Sequence, residues 1–242
     1  MLHILFQDDH YVAIHKPAGL LVHRSSIDIR ERQFALQKVR DQIEQKVYPI
    51  HRLDKPTSGV LLFGLSSEAA KAASTLFEQQ AIQKTYLALV RGYTEESGEI
   101  DHPISWIPET KKEKKASIQK EPQSALTHFS LVSKTELPFP VGRYETCRYS
   151  LVSLTPKTGR KHQLRRHMKH ISHPIVGDTR HGDWRHNRFV ESQFGCHRML
   201  LHASELQFTH PFTDEAVRIH APLDEEFSST IAAMELADPS GP

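Results

Sequence analysis

The chain is 242 residues long, 38% hydrophobic and 25% charged, an ordinary globular composition with room for one large domain or two small ones. A formal charge of +2 is too small to make the whole surface a polyanion binder, so any contact with nucleic acid has to come from local clusters. Cys147 and Cys196 stand alone, which excludes a disulfide scaffold. With no signal-peptide layout and no apolar run of membrane-spanning length, a soluble cytoplasmic protein is expected.

In chain order, Leu2 to Phe6 and Tyr11 to His15 read as a hairpin turning at Asp8-Asp9, broken by Lys16-Pro17-Ala18-Gly19 and resumed at Leu20-Leu21-Val22. Asp28 is placed to cap a helix carrying Leu36, Val39 and Ile43 at helical spacing, which Tyr48-Pro49 ends. A short apolar strand follows at Val60 to Phe63. Ser66 or Ser67 then caps a helix running to about Gln80. Gln83 to Arg91 is apolar on both alternating faces, the pattern of an interior strand. Gly92 to Gly98 reads as a polar turn. Thr110 to Gln123, with Lys111-Lys112-Glu113-Lys114-Lys115, has no apolar period and reads as a flexible basic insertion, either a solvated loop or an RNA-contacting arm. Two strands around Ala125 to Val132 and Tyr144 to Leu154 precede a basic helix from Thr158 to about His170, which Pro174 and Gly177 stop. A helix capped by Asp183, strands at Met199 to Phe208 and Ala216 to His220, and a closing helix from Leu223 to Met234 complete the chain. Hairpin-length links without steady βαβ alternation imply an α+β domain with a mixed, mostly antiparallel sheet flanked by helices.

Two stretches concentrate chemistry. In HRLDKPTSGVLLF, Asp54 sits between Arg52 and Lys55 on a tight loop anchored by the strand that follows. Neighbouring cations favour the ionised carboxylate, which suits a nucleophile better than a proton donor. A surface salt bridge in a turn has the same signature. In TGRKHQLRRHMKHISHPIVGD the apolar stripe is thin, Leu164, Met168 and Ile171, and the remainder is cationic or imidazole, including Arg160, His162, Arg165 and Arg166. Such a helix can face phosphate or can be a basic surface helix with no partner, and a partly buried Arg165 would need a carboxylate, for which Asp54 is a candidate. His162, His167, His170 and His173 cluster, but without a metal-binding signature and among repelling cations, so no metal is expected. Tyr86 and Leu201, each in an apolar strand, read from the residues alone as packing.

Together, and in the same order, DDHYVAIHKPAGLLVH, HRLDKPTSGVLLF, QKTYLALVRG, TGRKHQLRRHMKHISHPIVGD and RMLLHASEL resemble the motifs of the RluA family of pseudouridine synthases. His15 departs from the family's usual Asn before Lys-Pro. The resemblance implies a single pseudouridine-synthase-type catalytic domain over residues 1–242, without the amino-terminal S4 domain that many relatives carry. It implies Asp54 as the catalytic aspartate, Tyr86 stacked on the target base and acting in the late deprotonation at C5, and Arg165 paired with Asp54. Leu201 would lie against the base, and Arg52, Arg160, His162 and Arg166 would contact substrate. The segments DQIEQKVYPIHRLDKPTSGVLLFGLSSEA, PKTGRKHQLRRHM and HGDWRHNR are similar to the members that act on uridine 65 of tRNA. The implied reaction is an isomerisation needing no cofactor, on a flipped-out nucleotide. The implied partner is tRNA, with no obligate protein partner and a monomeric enzyme. The same reaction on ribosomal RNA, or RNA binding without catalysis, are the alternatives.

Overall fold

A computed structural model describes residues 1–23, 32–106, 108 and 121–237. The strands are β1 (His3–Gln7), β2 (Tyr11–Lys16), β3 (Tyr48–Pro49), β4 (Ser58–Gly64), β5 (Gln83–Arg91), β6 (Ser97–Asp101), β7 (Leu126–Leu137), β8 (Cys147–Pro156), β9 (Leu201–Thr209) and β10 (Ala216–His220). The helices are α1 (Ala35–Ile43), α2 (Ser67–Glu78), α3 (Gln163–His170), α4 (Trp184–Phe194) and α5 (Glu225–Ala233). The strands form one sheet in the order β1-β2-β4-β9-β5-β8-β7-β6, with β3 added to β4 and β10 to β9. Every named pairing is antiparallel except β4 with β9, so the sheet is mixed and mostly antiparallel, as expected.

The interior strands are apolar on both faces because helices cover both sides. Along β4, Val60 and Leu62 pack with Ala69 and Ala73 of α2, while Leu61 and Phe63 pack with Ala35 and Val39 of α1. Along β5, Ala88 and Val90 meet Leu164 and Met168 of α3, and Leu89 joins a cluster with Val190 of α4 and Phe227 and Ile231 of α5. The alternation read in Gln83 to Arg91 is thus one strand filling two cores.

Several boundaries differ from the sequence reading. Asp28 lies outside the described residues, and the N-cap position of α1 is taken by Phe34 with no side-chain cap bond. The strand expected to resume at Leu20 is a single bridge, Leu21 to Phe34. Tyr48-Pro49 does not end the helix, which stops at Glu44 in a left-handed conformation, but pairs with β4. The polar turn expected at Gly92 to Gly98 overlaps the start of β6, a strand that buries only Ile100 of its five residues and so carries little apolar pattern. Ser66 caps α2 and Asp183 caps α4 by accepting backbone N–H bonds, as their positions predict. The lysine run at Lys111 lies outside the described residues, but Ile104 and Gln123 exchange backbone hydrogen bonds across its base.

The parallel β4–β9 contact sets the geometry of everything that follows. Gly59 (φ +112°) lies so close to β9 that a Cβ there would stand 2.1 Å from the Ala203 carbonyl oxygen, so the TSG turn requires glycine. Beside it, the buried Ser58 hydroxyl meets His202 Nδ1 at 2.7 Å and accepts from Arg198 Nη2 at 2.8 Å.

Candidate active site

The loop between β3 and β4 is held from three sides. His51 Nε2 accepts the Leu62 backbone N–H at 3.0 Å, and its ring stacks on Phe77 at 4.7 Å. The Asp54 carbonyl accepts from Thr57 N at 3.0 Å, closing the turn. Below it, the fully buried Lys16 ammonium donates to the carbonyls of Pro17, Leu20 and Lys55 at 2.9, 2.8 and 3.2 Å. Burial, then Arg198, push the Lys16 pKa down to about 7, with Asp54 opposing. Three carbonyl acceptors nevertheless call for three N–H donors, which only the ammonium has, so Lys16 carries its proton in this loop.

Helix α3 supplies the counter-charge. Gln163 pins its start, with Oε1 accepting from Arg160 N and Thr158 Oγ1 and Nε2 donating to the Leu126 carbonyl and Thr127 Oγ1. The helix buries more than its apolar stripe: Gln163, Arg165 and His167 are inside as well. Arg165, 5% exposed, donates Nε and Nη2 to the two oxygens of Asp178 at 2.7 and 2.8 Å and Nη1 to Asp54 Oδ2 at 2.9 Å. Burial works against its charge, and the two carboxylates more than offset this, holding the guanidinium above its ordinary pKa. Burial likewise works to raise Asp178, but Arg165 and the N–H groups of His181 and Arg180 hold it below the usual carboxylate range. Asp178 was not picked out in the sequence. The available signal was that a buried arginine rarely rests on one carboxylate, and Asp178 closes the same motif, directly after Gly177. At Gly177 (φ +77°) a Cβ would stand 2.0 Å from the Arg198 carbonyl oxygen.

The other site residues divide by position. A β-bulge between Thr85 and Tyr86, opposite β9, sets the aim of Tyr86. Burial, then Asp54, push the Tyr86 hydroxyl pKa up. Asp54, Tyr86, Arg165, Leu201, Arg52, Arg160 and His162 all line one cleft of about 540 Å³, where Arg52 and Arg160 stand exposed at its rim. Arg166 is not among the lining residues and donates to the Ser105 carbonyl at 2.7 Å. His162 takes a left-handed conformation (φ 53°) that places Nε2 3.8 Å from Asp54 Oδ2 and Nδ1 2.9 Å from His181 Nε2. Burial is the main force pushing both imidazoles down to about 4, which favours their neutral forms at pH 7. His167 bonds Thr127 and the His102 carbonyl, His170 stacks on His102, and His173 bonds the Arg91 carbonyl. The histidine cluster is therefore divided among separate partners.

Outside the cleft, His15, His202 and Asp224 bring potential metal donors within 4.8 Å of one another. His202 already uses both ring nitrogens, on Ser58 and the Ala221 carbonyl, and Asp224 is paired with Arg198, so two of the three are committed to the fold and only His15 Nε2 is left without a hydrogen-bond partner among the described residues. Burial leads the shift of His51 to about 3 and of His202 to about 4, both from 6.5. Because the unfolded chain binds these protons more readily, the stability from keeping the two rings neutral is complete above pH 6.5 and is lost as pH falls toward 4. The unfolding free energy is expected to drop on acidification through this window by about 1.4 kcal/mol per pH unit for each ring, and the urea midpoint with it. A midpoint constant from pH 7 to about pH 5 would contradict this.

The sequence pattern of RNA pseudouridylate synthase matches residues 10–170, a stretch that holds Asp54, Tyr86 and Arg165. Over 232 residues the chain is 53% identical to tRNA pseudouridine synthase C of Yersinia pestis, covering 96% of this chain and 90% of that protein. It is 55% identical to tRNA pseudouridine synthase C of Haemophilus ducreyi over 226 residues, 93% of each. Among solved structures, human RNA pseudouridylate synthase domain containing 1 superposes with a TM-score of 0.70 at 27% identity, over 92% of this chain and 84% of that one. Human RNA pseudouridylate synthase domain containing 4 shares the fold, with a TM-score of 0.73 at 24% identity over 98% and 95%. A matched pattern that covers the cleft, and half-identical relatives aligned nearly end to end, place this chain in the RNA pseudouridylate synthase family.

Proposed function

We propose that the chain is a single-domain enzyme that converts a uridine of tRNA to pseudouridine, with Asp54, Tyr86 and Arg165 as its catalytic residues. The observation that carries this is Asp54 pinned by Arg165 at 2.9 Å inside a cleft that Tyr86 and Leu201 also line. At about 540 Å³ the cleft suits one nucleoside rather than a duplex, so the target nucleotide enters flipped out of its helix. The glycosidic N1–C1′ bond breaks, uracil turns within the cleft, and C5 bonds to C1′. The C5 proton leaves last and N1, freed from C1′, takes up a proton, so atoms and electrons balance without an added reagent.

A carboxylate serves each available route, whether it attacks C1′, adds to C6 or removes a sugar proton, and Arg165 fixes where its oxygen stands. Tyr86 offers a ring face to the base and its hydroxyl for the final deprotonation. Leu201 closes the apolar side against loss of detached uracil. Arg52 and Arg160 at the rim take the flanking phosphates, His162 contacts the nucleotide beside Asp54, and Arg166 takes the backbone further out. Similarity to the enzymes named tRNA pseudouridine synthase C supports tRNA as substrate. Similarity to family members acting at uridine 65 supports that position. We propose a cytoplasmic, monomeric enzyme; the two free buried cysteines suit a reducing compartment, and no described helix is long and apolar enough to cross a membrane.

The test is to incubate the purified protein with unmodified tRNA and with ribosomal RNA and map pseudouridine in both. One new pseudouridine at tRNA position 65 is the expected result. Modification of ribosomal RNA alone would overturn the substrate assignment, and no modification of either would overturn the catalytic one.

A further inference from the structure

Away from the cleft, α4 and the turn before β8 expose two large aromatic rings. Trp184 is 65% exposed and Tyr144 58% exposed. Each carries a guanidinium over its ring: Arg185 5.1 Å from the Trp184 centroid and Arg143 5.0 Å from that of Tyr144. The two pairs adjoin, since Gly142 lies against the Arg185 side chain, where a Cβ would stand 3.6 Å from Cδ. The exposed Arg188, four residues after Trp184, falls on the same side of α4. Three arginines thus surround two solvent-facing rings, against the carboxylate of Glu145. Asp183 is already paired with Arg91 at 2.6 Å.

The patch is tied to the cleft lining through the fold. His162 bonds His181, Asp178 accepts the His181 and Gly182 N–H groups, and the chain then passes through Asp183 into Trp184. Asp183 pairs with Arg91, which lies about 17 Å along β5 from Tyr86 at ~3.3 Å per residue over five residues.

We propose that this arginine–aromatic patch is a second RNA-contact surface, which stacks an unpaired base of the tRNA outside the target stem while the flipped uridine occupies the cleft. Each ring is more than half exposed and already carries a guanidinium, so an unpaired base can stack on the ring while the cation meets a neighbouring phosphate. The positive excess matches a polyphosphate partner. The proposal rests on tRNA being the substrate.

The test compares the wild type with W184A, W184F and Y144A by tritium release from 5-tritiated uridine, using full-length tRNA and a hairpin holding only the target stem and loop. For full-length tRNA, KM is expected to rise on the order of tenfold in W184A and Y144A, with kcat unchanged and W184F near wild type. For the hairpin, KM is expected to stay the same in all four proteins. In W106F, which leaves Trp184 as the sole tryptophan, fluorescence is expected to be quenched by full-length tRNA and much less by the hairpin. Unchanged KM for full-length tRNA in W184A and Y144A, or an equal rise for both substrates, would overturn the proposal. So would a wild-type dimer that W184A dissociates, since the face would then be a protein interface. A wild type that leaves both tRNA substrates unmodified would instead defeat the substrate assignment itself, so the two failures are told apart.

Discussion

Asp54→Asn is expected to fold, bind tRNA with wild-type affinity and release essentially no tritium, with turnover lower by at least about 1,000-fold. Asparagine matches aspartate in size, and its side-chain oxygen can still accept from Arg165 Nη1, so the loop stays in place. His51, Lys16 and Thr57 hold that loop through contacts that do not involve the Asp54 side chain. What disappears is the anionic oxygen that would attack or take a proton. Separate measurements of tRNA affinity and tritium release decide the matter. Retained turnover in Asp54→Asn would remove the carboxylate from the chemistry, whereas lost binding would make its role structural.

Asp178→Ala is expected to be the most destabilising single change in the site, costing about 3–5 kcal/mol. Arg165 is almost wholly buried and makes two of its three hydrogen bonds to Asp178, so truncation leaves a buried guanidinium with one partner. The same carboxylate accepts from Arg180 N and His181 N, so the loop beside the cleft loses its turn as well. In a chain of this size the melting temperature should fall by roughly 10 °C. Below that temperature, kcat should fall because Arg165 is no longer oriented toward Asp54. Pairing Arg165→Met with Asp178→Leu separates the two effects: most of the stability is expected to return while turnover does not. Denaturant midpoints and kcat for the three proteins supply the check. A single variant as stable as wild type would show that Asp178 does not hold Arg165.

The sequence was most informative where one element's pattern answers to its own surroundings. The double apolar alternation of Gln83 to Arg91 follows from helices on both faces, and Ser66 and Asp183 cap by purely local bonds. It was least informative where a residue's role depends on a distant one. Strand β6 carries almost no apolar signal because it is an edge strand whose support comes from pairing with β7. Asp178 went unread because nothing beside it in the chain shows that it meets Arg165, and Arg166, adjacent to a catalytic candidate, turns to the Ser105 carbonyl. In the cleft, the motifs located Asp54, Tyr86, Arg165 and Leu201 together, whereas the residues alone offered the Asp54–Arg165 pair as a candidate and read Tyr86 and Leu201 as packing.

The parallel pairing of Ser58 and Gly59 with His202 and Ala203 joins segments about 144 positions apart. A nascent chain therefore carries its aspartate loop through most of synthesis without the strand that seats it. β4 then gains its final neighbour only when β9 arrives, and that closure is the kind of long-range event that slows folding. Protection of β4 and β9 amides should accordingly appear in the same kinetic phase of refolding. An incomplete polypeptide lacking β9 would be unable to modify RNA before its own synthesis ends.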